Sequence, residues 1–187
     1  MSDRAFPLLV PASFFLLLIG VCPARSQSLS LSVGVAGGYA PLLNYGNYQE
    51  AGAEIALFGD FEYGRVIGRL QFTDVLTGTV GNDKLKSGYA IHGSLGYNAP
   101  ITTQIHIPIM LTGGAGFVKY SNSVGIGDNT FFDVSPQIGL TFSPYYQLTD
   151  SLALHLAFRY IQGFASGESS SPIIMADAMI GVRYSLL

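Results

Sequence analysis

The stretch Ser151–Gln162, SLALHLAFRYIQ, decides the fold. Leu152, Leu154, Leu156, Phe158 and Tyr160 occupy every second position, with Ala153, His155, Ala157 and Arg159 between them. A period of two is the alternation of an extended strand, whose successive side chains point to opposite faces. One face of this strand is large and apolar. The other is small and carries a His and an Arg. Such a strand separates two environments, and the architecture follows from which of them is the inside.

The same period runs through the chain. SLSLSVGVAGGY sets Leu29, Leu31, Val33, Val35 and Tyr39 against Ser, Gly and Ala. EAGAEIALFGDFEY sets Ile55, Leu57, Phe61 and Tyr63 against Glu50, Glu54, Asp60 and Glu62. RVIGRLQFT sets Val66, Leu70 and Phe72 against Arg65, Arg69 and Gln71. GYAIHGSLGYN, QIHIPIMLTGGAGF, FDVSPQIGLTFS and IIMADAMIGVRYSL repeat the pattern, with His92, His106, Asp133, Asp177 and Arg183 on the polar parity. These segments predict eight strands of about nine to twelve residues. Short connections are expected at 63–65, 97–103 and 144–151, and longer polar ones near 40–49, 77–87, 119–130 and 162–171, rich in turn residues.

Composition decides which face is inside. Charged residues are 11% of the chain and apolar residues 49%, whereas a typical soluble domain is roughly 25% charged. A water-facing surface would carry many Lys and Glu. The only lysines, Lys84, Lys86 and Lys119, fall outside the expected strands. The polar parity is mostly Ser, Gly, Ala and Thr with isolated charges, which suits a narrow eight-stranded lumen. The apolar parity, turned to water, would aggregate; turned to lipid, it forms the apolar band of a membrane barrel. Tyr39, Tyr63, Tyr89, Tyr97, Tyr160 and Tyr184 share that parity towards strand ends, where aromatic girdles sit. Leu152 to Tyr160 therefore face lipid, and His155 and Arg159 face the lumen. Closure satisfies every backbone group without water.

Ahead of the strands, Phe6–Cys22 is an apolar run after Arg4, followed by PARSQ. Ala24 and Ser26 have signal-peptidase spacing, so residues 1–26 read as a signal peptide and 27–187 as one barrel. Cleavage there removes Cys22, the single cysteine, and leaves 7 basic and 11 acidic residues, a formal charge of −4. That excludes disulfide chemistry and a nucleic-acid-binding surface.

The alternating segments and the ending MIGVRYSLL, with Ile180, Val182, Tyr184 and Leu186 on one parity, resemble the small eight-stranded outer-membrane barrels, the OmpA-transmembrane, OmpX and OmpW-like group. The chain departs from them in ending on Leu187 rather than on an aromatic residue. The resemblance implies an all-β, antiparallel up-and-down barrel in the bacterial outer membrane, with both termini and the short turns on the periplasmic side. It implies outer-membrane lipid and the barrel-assembly machinery as partners, an extracellular ligand met by the loops, and a monomer.

The candidate site is the lumen, with Glu54, Asp60, Glu62, Arg65, Arg69, His92, His106, Asp133, His155, Arg159, Asp177 and Arg183 as its polar network. Ion pairs there satisfy polar groups and fill the space; a proton-responsive or conducting lumen is the sharper alternative. Pro108 and Pro136 sit inside strands, where proline removes a ladder donor. They mark either tolerated bulges or a lateral seam for an apolar solute. An enzyme is disfavoured: FRYIQGFASG loosely resembles a lipid A deacylase stretch but lacks its His, and Ser166 has no base nearby. Three His at spacings of 14 and 49 form no local metal motif, and no cofactor signature is present. The expected role is therefore structural or surface interaction through the outer loops, with a narrow channel or a lipid-modifying enzyme as alternatives.

Overall fold

The computed structural model describes residues 29–45, 48–76, 79–80, 83–122, 129–164 and 173–186. The expected signal peptide and Ser166 lie outside them. Among the described residues are ten strands: β1 Leu29–Tyr45, β2 Tyr48–Tyr63, β3 Val66–Leu76, β4 Thr79–Val80, β5 Asp83–Pro100, β6 Ile105–Asn122, β7 Asn129–Phe142, β8 Tyr145–Gln147, β9 Leu152–Gly163 and β10 Ile173–Ser185.

These form eight staves. β4 prolongs the β3 stave against β5, and β8 prolongs the β7 stave between β6 and β9. Each stave pairs antiparallel with its chain neighbours, and β1 pairs with β10 to close the ring. No sheet edge is left along the described wall, as a membrane span requires.

The faces are inverted relative to a soluble protein. Leu70 is 66% exposed, and Arg69 beside it only 3%. Val35, Leu57, Ile91, Leu111, Leu140 and Val182 are likewise exposed, whereas Ala36, Ala56 and Ala157 are buried on the inner parity. In hydrocarbon each such leucine gains on the order of 2 kcal/mol. Tyr63, Tyr146 and Tyr184 are exposed near the end with the short turns; Tyr39 and Tyr160 lie towards the other. From Leu29 to Tyr39, ten steps of roughly 3.3 Å at a tilt of about 40° rise about 25 Å, the height of an outer-membrane apolar band.

The short turns differ in construction. Gly64 has φ 64°, and no other described residue has a positive φ. Glycine at the first central position of a two-residue hairpin is the II′ arrangement, whose twist matches the strands. The other two share a device. Ile101 and Thr102 donate backbone N–H to the Ile105 carbonyl, while Thr102 Oγ1 accepts from Gln104 and Ile105. Leu148 and Thr149 donate to Leu152 in the same way, and Thr149 Oγ1 accepts from Ser151 and Leu152. Both read apolar-Thr-x-x-apolar, ITTQI and LTDSL.

The ladders run further than the alternation predicts. The expected loop 40–49 holds paired strand up to Tyr45↔Tyr48, across a register shift after Ala40. β6 reaches Asn122, and the expected connection 144–151 contains β8. Beyond the apolar band, polar residues break the hydrophobic period while the backbone keeps its hydrogen bonds; hydrophobicity therefore underestimates strand length.

Candidate functional site

The lumen is filled by side chains from every stave. At the centre Asp60 from β2 accepts from both nitrogens of Arg69 from β3, Nε at 2.6 Å and Nη2 at 2.9 Å. Arg69 continues across the barrel to Ser143 Oγ at 2.9 Å and His155 Nε2 at 3.2 Å. Its guanidinium lies 4.3 Å from the Phe58 ring centroid, and Phe58 packs on His155 at 4.6 Å.

Towards the short turns, Arg183 from β10 bonds Glu62 and approaches Asp60 at 3.3 Å. Its guanidinium sits 4.3 Å from the Tyr145 centroid, against which His106 stacks in parallel at 4.8 Å. Asn98 donates to Glu62 at 2.9 Å and to Tyr145 at 3.0 Å. Outside this layer opens a vestibule of about 290 Å³, lined by Ser32, Glu62, His106, Tyr145, Asp150 and Arg183.

Towards the long loops, Arg159 from β9 holds Asp177 from β10 at 2.8 and 2.7 Å, Glu54 from β2 at 3.2 Å and Thr73 from β3 at 3.0 Å. His92 bonds Gln137 at 2.8 Å, and Ser94, Thr112 and Thr141 form a hydroxyl chain. Val75, Ala90, Val118, Ile161 and Met175 form a buried apolar cluster towards this end.

The arginines and acids are thus joined into two ionic groups, Glu62–Arg183–Asp60–Arg69 and Glu54–Arg159–Asp177. The side chains of Arg69, Arg159, Glu54, Asp60 and Asp177 are at most 1% exposed. Removing one member of such a group strands a buried charge, which locks the arrangement. A narrow eight-stranded barrel has room for little else.

Three expected network members are not placed in the interior network: Arg65, Asp133 and His106. Arg65 belongs to the II′ turn and leaves the ladder, so strand parity does not govern it. It is exposed and donates to the Tyr97 hydroxyl at 2.6 Å on the outer surface, rather than entering the lumen. The side chain of Asp133 lies outside the described residues. His106 sits in the vestibule, not the interior. Sequence reasoning passed over Phe58, Met175 and Met179, although each has inner parity, over Ser143 at the end of an expected strand, and over Tyr145, which falls in an expected connection.

Ser143 Oγ lies 2.5 Å from His155 Nε2. Arg69 Nη1 donates to Ser143 Oγ and lies 3.2 Å from the same Nε2, and the roles of donor and acceptor between Ser143 and His155 follow the tautomer of the ring. Nδ1 has no hydrogen-bond partner among the described residues. Among the described residues no acid bonds Nδ1 as in a nucleophile–base–acid constellation, and Ser143 is fully buried.

The two strand prolines differ. Phe164 N donates to the Pro136 carbonyl at 2.9 Å, and the reciprocal amide is missing. Ser135 Oγ takes its place, donating to the Phe164 carbonyl at 2.9 Å. At Pro108, Ser143 N donates to its carbonyl at 2.9 Å, again without a reciprocal N–H. Pro144, also without an N–H, accepts from Leu156 N at 2.9 Å. Register passes unshifted from Ile109↔Phe142 to His106↔Tyr145. Neither proline makes a bulge: Pro108 and Pro144 only delete donors, and this is where β7 ends and β8 begins.

No family model matches the sequence, and no curated relative does. Solved structures match the fold. Neisserial surface protein A superposes with a TM-score of 0.69 at 12% identity, over 86% of this chain and 99% of that one. Ail, the attachment invasion locus protein of Yersinia pestis, gives 0.58 at 12%, over 87% and 100%. A major outer membrane protein from Thermus thermophilus gives 0.58 at 12%, over 85% and 100%. The chain has the fold of these small outer-membrane proteins, a closed eight-stranded antiparallel barrel.

Proposed function

We propose that the chain is a monomeric barrel of the bacterial outer membrane whose lumen is a plug and whose outer loops carry a structural or surface-interaction role. The exposed apolar belt supports residence in lipid. One observation supports the plug: Arg69, Arg159 and Arg183 each reach across the lumen to acids or hydroxyls on other staves and are buried there. A passing ion would have to break pairs that stabilise one another in a confined space. Release of a small polar solute from protein-containing vesicles tests this. Retention, with no turnover of labelled lipid, supports the plug; rapid release supports a channel, and turnover an enzyme.

A second reading, lateral passage of an apolar solute, is favoured by the wall at Pro108, Ser143 and Pro144. There the β6 and β9 seams of one stave each lack a donor within two residues. Pro136 does not add to it, because Ser135 repairs that seam.

A further inference from the structure

The vestibule of about 290 Å³ inside the short turns takes no part in the plug. Its volume lies at the small end of ligand sites, so it suits a group of a few heavy atoms with its waters. Its charge is uneven. Glu62, Arg183, Asp60 and Arg69 form one ionic group with two charges of each sign, and these cancel. Asp150, in the turn between β8 and β9, also lines the vestibule and makes no ion pair among the described residues. It gives the cavity a surplus negative charge. Arg183 is the one permanent cation among the described lining residues, and Glu62 and Asp60 already hold it.

The other polar groups are set to accept. Gln147 gives its amide nitrogen to the Thr149 carbonyl at 2.6 Å, which leaves its oxygen as the free end. Glu62 keeps 13% of its side chain exposed. Ser32 is only 3% exposed, and inner parity turns it into the cavity. Its hydroxyl has no hydrogen-bond partner among the described residues. Buried hydroxyls are normally bonded, so one left open on a cavity marks a place that a bound group completes.

We infer that the vestibule binds a primary ammonium group entering at the short-turn end, with the Asp150 carboxylate as its counter-ion and the oxygens of Ser32, Gln147 and Glu62 as the acceptors around it. An ammonium brings one positive charge and three donors, which matches a surplus carboxylate among acceptors. An anion would meet two carboxylates with no cation left to receive it. A neutral polyol would leave Asp150 unpaired. The ammonium can belong to a free amine or to a lysine side chain of a polypeptide; the recognising chemistry is the same. Only the naming of its source as periplasmic rests on the membrane reading above, and the plug stands whether or not the vestibule fills.

The test measures binding to the folded, purified chain in neutral detergent micelles by ligand-observed NMR. Three probes of equal length are compared: 1,4-diaminobutane, 1,4-butanediol and succinate. The native chain should bind the diamine saturably, less tightly with added salt, and should bind neither the diol nor succinate. D150N should weaken the diamine about tenfold, the loss of one charge-assisted contact, and S32A about threefold. D150E should keep most of the affinity. D74N, which alters a carboxylate on the outer wall, should change nothing. A short lysine-containing peptide with blocked ends separates the sources: binding that D150N weakens assigns a lysine side chain, and no binding beside a bound diamine assigns a free amine. A diol bound as tightly as the diamine, binding of succinate, or a diamine affinity unchanged in D150N overturns the site. So does the absence of saturable binding to a barrel that migrates as folded on unboiled gels. Release of a polar solute from vesicles tests the plug separately, so failure of the site and failure of the plug are told apart.

Discussion

Arg159 holds both oxygens of Asp177, Nε on one at 2.8 Å and Nη2 on the other at 2.7 Å, from the directly opposed position on the neighbouring strand. The same guanidinium reaches Glu54 on the far side of the lumen, so one cation serves two buried acids.

That sharing makes the partners unequal. Arg159→Met leaves two carboxylates buried together without a cation and should cost about 3–5 kcal/mol. Asp177→Asn leaves Arg159 with Glu54 and should cost distinctly less. Urea unfolding in vesicles measures both, and the double variant should be more stable than the sum of the two losses implies. Equal and additive costs would show that the three groups do not act as a unit.

Ser135 supplies the seam with the donor that Pro136 cannot. Ser135→Ala should speed amide exchange at Phe164 by roughly an order of magnitude, the worth of about one hydrogen bond. Restoring a backbone amide with Pro136→Val should return exchange to its original rate in the Ser135→Ala background. Unchanged exchange in Ser135→Ala would mean that the hydroxyl is incidental.

Two glycines on opposite faces make a further contrast. A Cβ at Gly181 would run into the Val35 carbonyl and the Ala36 Cα of the neighbouring strand, backbone that cannot swing away. At Gly113 the nearest neighbour would be a carbonyl at an ordinary 3.8 Å. Gly181→Ala should therefore destabilise by about 1–3 kcal/mol, and Gly113→Ala should stay within about 0.5 kcal/mol. Thermal unfolding followed by loss of the folded gel band compares them. A tolerated Gly181→Ala would mean that β1 and β10 can part at this point.

Strand parity made much of this legible. It sorted Leu152–Tyr160 from His155 and Arg159, and it placed the charged inner residues on one side of the wall. It could not say which of them meet, because contacts across the lumen depend on the stagger of the barrel; nothing in the period links Arg69 on β3 to His155 on β9. It failed at Arg65, where a turn takes the residue off the ladder, and at Tyr145, where two missing proline donors interrupt a strand whose register continues. Phe58, Met175 and Met179 were readable by parity but look out of place on a polar face. They pack as apolar fill beside the ionic groups: Phe58 lies against both Arg69 and His155 and clusters with Met179, while Met175 belongs to the apolar cluster towards the long loops.

The central claim, that the ionic layers close the lumen, is tested most directly by current through a planar bilayer holding the folded, purified chain. The account predicts a flat baseline for the native protein, and discrete openings when Arg69 and Arg159 are both replaced by alanine in a barrel that still migrates as folded. Regular conductance steps from the native protein, unchanged by those substitutions, would contradict it.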